Sequence, residues 1–230
     1  MVSRRIVVTG SSRGIGYELV RQFTSLGHKV LALTRNSELL DLLDAEHPNL
    51  KVLQVEITER NGMDGIVEFI DKEWGEVDVL VHNAGALISK PFKDTSVEDF
   101  LKVYKVNVFA VAELTRKLDP YLVKGAHVVA ISSMGGIQGS VKFPGLSAYS
   151  SSKGAVITLM ELLAEEYKER GVSFNALALG AVRTEMLKEA FPDYRAQIDP
   201  VDMGSYIVDF ALNGNKLFNG KVLQVSNSTP

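Results

Sequence analysis

The 230-residue chain contains no cysteine. That absence excludes disulfides, thiol nucleophiles and cysteine-ligated metals. Lys and Arg number 25 against 28 Asp and Glu, a net charge of −3, and no Lys/Arg cluster forms a local basic patch. A nucleic-acid-binding surface is therefore not expected. No apolar run approaches the ~20 residues that span a bilayer. The N-terminus passes from Ser3-Arg4-Arg5 directly into a short apolar strand, without a signal-peptide core. No repeat, low-complexity segment or linker divides the sequence. The expectation is a soluble cytoplasmic protein with no membrane partner.

What is present is an ordinary globular composition, 46% hydrophobic and 23% charged. The length suits one sizeable α/β core. Short Val/Ile/Leu runs alternate with longer helical patterns. Strands are expected at residues 6–8, 29–34, 52–55, 77–81, 128–132, 172–177 and 221–225. Helices are expected at 15–26, 38–45, 63–74, 97–118, 149–170 and 202–212. Continuous apolar strands are buried on both faces. Strict β-α alternation then predicts right-handed crossovers and a parallel sheet covered by helices, one domain over residues 1–230.

Two local patterns carry chemistry. Tyr149-Ser-Ser-Ser-Lys153 places a phenol and an ammonium on one helix face. A free phenol has a pKa of about 10, and a close ammonium lowers it by roughly one to three units. Ser133, upstream, supplies a hydroxyl that can hold an oxygen becoming negative. The pair alone also fits a half-exposed helix face.

The second pattern is Thr9-Gly10-Ser11-Ser12-Arg13-Gly14-Ile15-Gly16, between the first strand and the first helix. Glycines there let backbone N–H groups approach a pyrophosphate at the positive helix end. The spacing is G-x-x-x-G-x-G rather than G-x-G-x-x-G. At the end of the second strand stands Leu33-Thr34-Arg35-Asn36. A carboxylate there would bond a free ribose 2′-hydroxyl, whereas Arg35 suits a 2′-phosphate, with Arg13 as a second cation. Both arginines also read as solvated surface groups. The cofactor expected is NADP(H).

Taken together, the chain resembles the short-chain dehydrogenase/reductase family over essentially its whole length. The motifs occur in family order: Gly10 to Gly16, Asn83-Ala84-Gly85, Asn107, Ser132-Ser133, Tyr149 with Lys153, and Gly180 to Thr184. The resemblance implies a Rossmann-type doubly wound sheet of about seven strands with helices on both faces. It also implies Tyr149 as acid/base, Lys153 lowering its pKa and bonding the nicotinamide ribose, Ser133 polarising the substrate oxygen, and Asn107 holding a water beside Lys153. Gly10, Ser12, Arg13, Gly14, Ile15, Gly16, Thr34 and Arg35 would bind the phosphates and ribose. Glu56, Ile57, Asn83, Ala84 and Gly85 would lie near the adenosine, and Gly180, Val182 and Thr184 near the nicotinamide. A plain surface asparagine at 107, a strand-end hydroxyl at 133 and a helix cap at Thr184 remain alternatives.

Departures from the family pattern are His82, Glu56 for the usual aspartate, Leu179 before Gly180, and the ending Asn227-Ser228-Thr229-Pro230. Ser140-Val141-Lys142 resembles an insertion, and the segment from Glu185 to Pro200 is short. The function expected is NADPH-dependent reduction of a small or medium apolar ketone or aldehyde, reversible as alcohol oxidation. The candidate pocket residues are Ala86, Met134, Phe143, Leu146, Met186 and Phe191, mostly apolar. Reduction of a 3-oxoacyl carrier protein, with Lys124, Lys168 and Arg170 as a docking patch, is an alternative. A non-catalytic nucleotide-sensing protein is a more distant one. A homodimer or homotetramer paired through the two long helices is expected.

Overall fold

The computed structural model describes residues 2–226; the sequence ending at Asn227 to Pro230 lies outside them. Seven strands form one parallel sheet: β1 (Arg5–Thr9), β2 (Lys29–Thr34), β3 (Leu50–Gln54), β4 (Val77–His82), β5 (Leu122–Ser133), β6 (Ser173–Leu179) and β7 (Lys221–Val225). Their order is β3-β2-β1-β4-β5-β6-β7. The order reverses between β1 and β4, and the carboxyl ends of strands at such a switch point leave a crevice for a ligand.

Eight helices cover the sheet: α1 (Gly14–Ser25), α2 (Glu38–Glu46), α3 (Arg60–Glu73), α4 (Val97–Tyr104), α5 (Ala110–Leu118), α6 (Ser147–Glu166), α7 (Glu185–Ala190) and α8 (Pro200–Asn213). Side chains of a strand alternate between faces. Ile6 and Val8 of β1 accordingly pack in one core with Leu19, Phe23, Met203 and Ile207 of α1 and α8. Val7 packs in the other, with Ile66, Leu114, Val156 and Met160 of α3, α5 and α6. Both faces are thus buried, which is why the strands read as unbroken apolar runs. Among the described residues, no helix is long and apolar enough to cross a membrane.

Several elements differ from the sequence expectation: α7 is not among the expected helices, α3 starts at Arg60 rather than 63, and α6 spans Ser147–Glu166 rather than 149–170. The helix expected over 97–118 is interrupted by a π-helical turn at Lys105–Phe109. Such a turn accommodates one extra residue without ending the helix. β5 begins at Leu122 rather than 128, because a bulge joins Leu122 to the main strand. Leu122 pairs with Val77 and His127 with Val79, so five steps on β5 face two on β4. Gly125, at φ +89°, lies within that bulge. β3 starts at Leu50, two residues earlier than its apolar run suggests.

Candidate active site

The cleft opens at the carboxyl ends of the strands, with a volume of about 390 Å³. Gly10, Ser12, Arg13, Gly14, Ile15 and Gly16 line its centre, below β1. A side chain is sterically excluded at two of these positions. A Cβ on Gly10 would lie 2.6 Å from the Ala84 Cα, and one on Gly16 would lie 2.1 Å from the Gly10 carbonyl oxygen. Gly10 also holds φ at +69°, in the region that favours glycine. The bare backbone leads into α1, whose first turn carries no acidic residue. That is a cradle suited to a phosphate.

Asn83 fastens this loop. Its Nδ2 donates to the Thr9 and Gly10 carbonyls at 3.1 and 2.9 Å. The backbone N–H groups of Asn83 and Ala84 donate to Thr9 Oγ1 at 3.1 and 3.0 Å. β1 and β4 are thereby locked together where the crevice begins.

One end of the cleft is lined by Thr34, Arg35, Glu56 and Ile57, from the ends of β2 and β3. Arg35 is 80% exposed, and its Nη1 lies 3.7 Å from Glu56 Oε2. Glu56 also accepts from the Thr58 N–H and hydroxyl at 3.1 and 2.9 Å. Its carboxylate thus turns back on its own loop and toward Arg35. Arg13 pairs with Glu189 of α7, Nη1 to Oε1 at 3.0 Å.

The other end holds Ser133, Tyr149 and Lys153, together with Gly180, Val182 and Thr184 after β6. The Ser133 oxygen accepts from the Gly135 N–H at 3.2 Å. Lys153 is 4% exposed and donates to the Ile131 carbonyl at 2.8 Å. Ser132 donates to the Lys153 carbonyl at 2.8 Å and so anchors α6 to β5. Thr184 caps α7, accepting from the Leu187 N–H at 3.3 Å, so its cap role is real and its cleft position is retained.

The protonation of the pair differs from what the i, i+4 spacing suggests. The Tyr149 phenol lies above its ordinary value, because burial disfavours the phenolate more than the Ser133 hydroxyl bond favours it. Lys153 is itself pushed down to about 8 by burial. Its Nζ sits 5.7 Å from the centre of the Tyr149 ring. The ammonium is spent partly on the Ile131 carbonyl, and the apolar surroundings weaken both charged forms.

Asn107 does not line the cleft. It sits in the π-helical turn, 1% exposed, and its side chain reads the Ala86 backbone on both sides. Oδ1 accepts from the Ala86 N–H at 2.8 Å, and Nδ2 donates to the Ala86 carbonyl at 3.0 Å and to Ser152 Oγ at 2.9 Å. It is a brace between the segment after β4 and α6. The surface alternative for Asn107 is excluded.

The six expected pocket residues, Ala86, Met134, Phe143, Leu146, Met186 and Phe191, all line the cleft. Phe143 and Phe191 meet edge to face, ring centres 6.4 Å apart. Tyr194 and Glu185 also line it and were not anticipated. Neither belongs to a spaced motif; only the fold of the 185–200 segment over the cleft brings them in. His82 is buried, with Nε2 2.9 Å from Thr115 Oγ1, a structural contact. Among the described residues, no group of three or more His, Asp and Glu is placed to hold a metal ion.

The sequence profile of the short chain dehydrogenase family matches residues 4–195. The chain belongs to this family. As a short-chain dehydrogenase it is an oxidoreductase acting between CH–OH and C=O groups. It is 32% identical to the 2-(R)-hydroxypropyl-CoM dehydrogenase of Xanthobacter autotrophicus, over 86% of this chain and 82% of that protein. It is 30% identical to the 3-oxoacyl-[acyl-carrier-protein] reductase FabG of Escherichia coli, over 84% of this chain and 79% of that one. Among solved structures, a short chain dehydrogenase from Shigella flexneri complexed with NADP superposes with a TM-score of 0.85 at 28% identity, covering 96% of each chain. A dehydrogenase/reductase from Sinorhizobium meliloti shares the fold, with a TM-score of 0.87 at 24% identity over 98% of this chain and 94% of that one.

Proposed function

We propose that this short-chain dehydrogenase reduces small to medium apolar ketones and aldehydes, and oxidises the matching alcohols, with NADP(H). The observation that carries the reading is the meeting of Ser133, Tyr149 and Lys153 at one end of a cleft whose other end offers Arg35, with Arg13 in the glycine loop between them. The dinucleotide, when bound, supplies or accepts the hydride. Gly10, Ser12, Gly14, Ile15 and Gly16 would hold its pyrophosphate. Arg35, with Arg13, would hold a 2′-phosphate; no carboxylate stands at the end of β2, and the phosphate would compete with Glu56 and Glu189 for the two guanidiniums. The NADP-bound Shigella relative supports the same choice.

Tyr149 gives its proton to the carbonyl oxygen in reduction and takes it back in oxidation. Its raised pKa keeps the phenol protonated, which suits a proton donor. The Ser133 oxygen accepts from Gly135, leaving its own O–H to donate toward the developing oxyanion. Lys153 contributes positive charge beside the phenol as it loses its proton. Asn107 fixes the backbone at Ala86, which forms one wall of the pocket. Phe143, Leu146, Met134, Met186 and Phe191 exclude water and favour apolar substrates.

The carrier-protein reading is supported by the resemblance to FabG. Its expected docking patch is not at the cleft, however. α6 starts with Tyr149 near its first turn and runs 20 residues, about 30 Å. Lys168 and Arg170 follow its far end, where they pair with Glu165 and Asp119. A panel of apolar ketones, sugar acids and a carrier-protein thioester, read by NADPH absorbance with Tyr149→Phe as control, separates these readings. Turnover confined to charged substrates, or equal turnover by Tyr149→Phe, overturns the proposal.

Two copies are proposed to pair through the two long helical stretches. Leu101 of α4, Phe109 of the π-helical turn and Leu162 of α6 are each more than half exposed. Light scattering showing a monomer at micromolar concentration refutes it.

A further inference from the structure

The loop that joins Ser133 to Tyr149 is closed from the outside by a lysine. Met134–Gly136 form a single 3₁₀ turn directly after Ser133. One amide of that turn, the Gly135 N–H, orients the Ser133 oxygen at 3.2 Å. Its carbonyls are gathered by the segment Ser140-Val141-Lys142. Ser140 Oγ lies 2.6 Å from the Met134 carbonyl and 2.9 Å from that of Ile137, so its one proton is shared between them. Lys142 Nζ donates to the Gly135 carbonyl at 2.9 Å, to Ser140 Oγ at 2.8 Å, and to the Ile137 carbonyl.

An ammonium has three protons and no acceptor. All three protons of Lys142 find oxygens within eight residues of the chain. Exposed lysines ordinarily keep a hydrated, freely rotating head, and ordering one costs side-chain entropy. Here the cation instead fills a cup of carbonyls, and charge-assisted bonds of this kind exceed neutral ones in strength. The next residue, Phe143, meets Phe191 across the cleft.

We infer that Lys142 is a positioning residue for Ser133 and for the substrate wall. Its ammonium holds Gly135 where the Gly135 N–H aims the Ser133 hydroxyl, and it holds Phe143 against Phe191. The consequence for turnover rests on the carbonyl-reduction reading above; the brace itself does not. Lys142 touches neither Tyr149 nor the glycine cradle, so cofactor affinity is independent of it.

The cysteine-free sequence makes a direct test available. Lys142→Cys introduces a single thiol, whose thiolate displaces bromide from 2-bromoethylamine. The new C–S bond rebuilds a side chain of lysine length ending in an ammonium. Lys142→Met keeps the stem without the charge, and serves if Lys142→Cys folds poorly. The expectation is a kcat about tenfold lower in both variants, since small misplacements of reacting groups are costly. The NADPH Kd, read by fluorescence, stays unchanged, and aminoethylation of Lys142→Cys restores kcat. The Gly135 amide exchanges faster with solvent in both variants and slows again after aminoethylation. Wild-type kcat in either variant, or recovered Gly135 protection without recovered kcat, overturns the positioning role. If the unaltered protein reduces no carbonyl, the functional reading fails, and the exchange of Gly135 alone decides the brace: an unchanged rate refutes it.

Discussion

Arg13 in the glycine loop and Glu189 in α7 form an ion pair across the cleft, Nη1 to Oε1 at 3.0 Å. The pair joins the segment proposed to hold the cofactor phosphates to the helix that bears Met186 and Leu187 of the substrate wall. A 2′-phosphate and the Glu189 carboxylate compete for one guanidinium. The two side chains are 51% and 65% exposed, so solvent screens the pair and its worth is small. Glu189→Gln is expected to tighten NADPH about threefold and leave NADH unchanged, a difference fluorescence titration can resolve. Equal changes for both nucleotides remove Arg13 from 2′-phosphate recognition.

Arg35 is less committed, with Glu56 3.7 Å away and most of its side chain in solvent. Arg35→Asp replaces a cation with a carboxylate where the 2′-phosphate is proposed to sit. NADPH affinity is expected to fall by at least about tenfold while NADH affinity rises. An unchanged ratio of the two dissociation constants contradicts the NADP assignment.

Asn107 satisfies both polar groups of Ala86 and the hydroxyl of Ser152 in a buried site. Asn107→Ala leaves the Ala86 N–H and C=O without these partners. Orphaned buried groups cost about 1–3 kcal/mol each. Urea unfolding is expected to show a loss of about 2–4 kcal/mol, together with lower kcat. Full retention of stability means that the π-helical turn does not depend on its asparagine.

Lys153 sets an alkaline limit. Burial lowers its pKa from 10.5 to about 8, so the ammonium is lost as pH rises through about 8. The phenol, raised above 10, does not titrate in that window. The kcat/KM for carbonyl reduction is therefore expected to fall above pH 8 along a one-proton limb. Lys153→Arg, whose charge persists, moves that limb upward while lowering the maximum. A flat profile to pH 10 in the unaltered protein contradicts this assignment.

Buried histidines set an acid limit, His28 among them, lowered from its ordinary value chiefly by burial. His82 is held at about 3 and His127 at about 4, both lowered from 6.5 mainly by burial. His127 Nδ1 lies 3.0 Å from the Ala211 carbonyl and its Nε2 lies 2.9 Å from Asn175 Nδ2, an arrangement that the neutral ring satisfies. Below pH 6.5 the unfolded chain binds protons that the native state refuses. Stability is thus full above 6.5 and falls with falling pH, by roughly 1.4 kcal/mol per pH unit for each histidine. Urea midpoints at pH 7, 6 and 5 check the slope, and a pH-independent midpoint contradicts it.

Much of this was legible along the chain. Strands covered on both faces are apolar along most of their length, so the Val/Ile/Leu/Ala runs of β1, β4 and β6 announce themselves despite Asp78 and Asn175. A strand-to-helix turn that exposes backbone must use glycine, so the loop from Gly10 to Gly16 does too. The bulge at Gly125 and the π-helical turn at Asn107 were not legible. Neither has a residue signature of its own. Within the turn, Asn107 bonds the Ala86 backbone 21 residues earlier, a contact that only the fold supplies.

Periodicity, motif order and the i, i+4 spacing of Tyr149 and Lys153 are properties of neighbours in the chain, and they suffice for the sheet, the cradle and the candidate reacting groups. Protonation and partnership are not local. The raised phenol, the lowered ammonium, the hold of Glu189 on Arg13 and the carbonyl cup around Lys142 depend on packing. Desolvation and charge pairing sum over groups that only folding brings within a few ångströms.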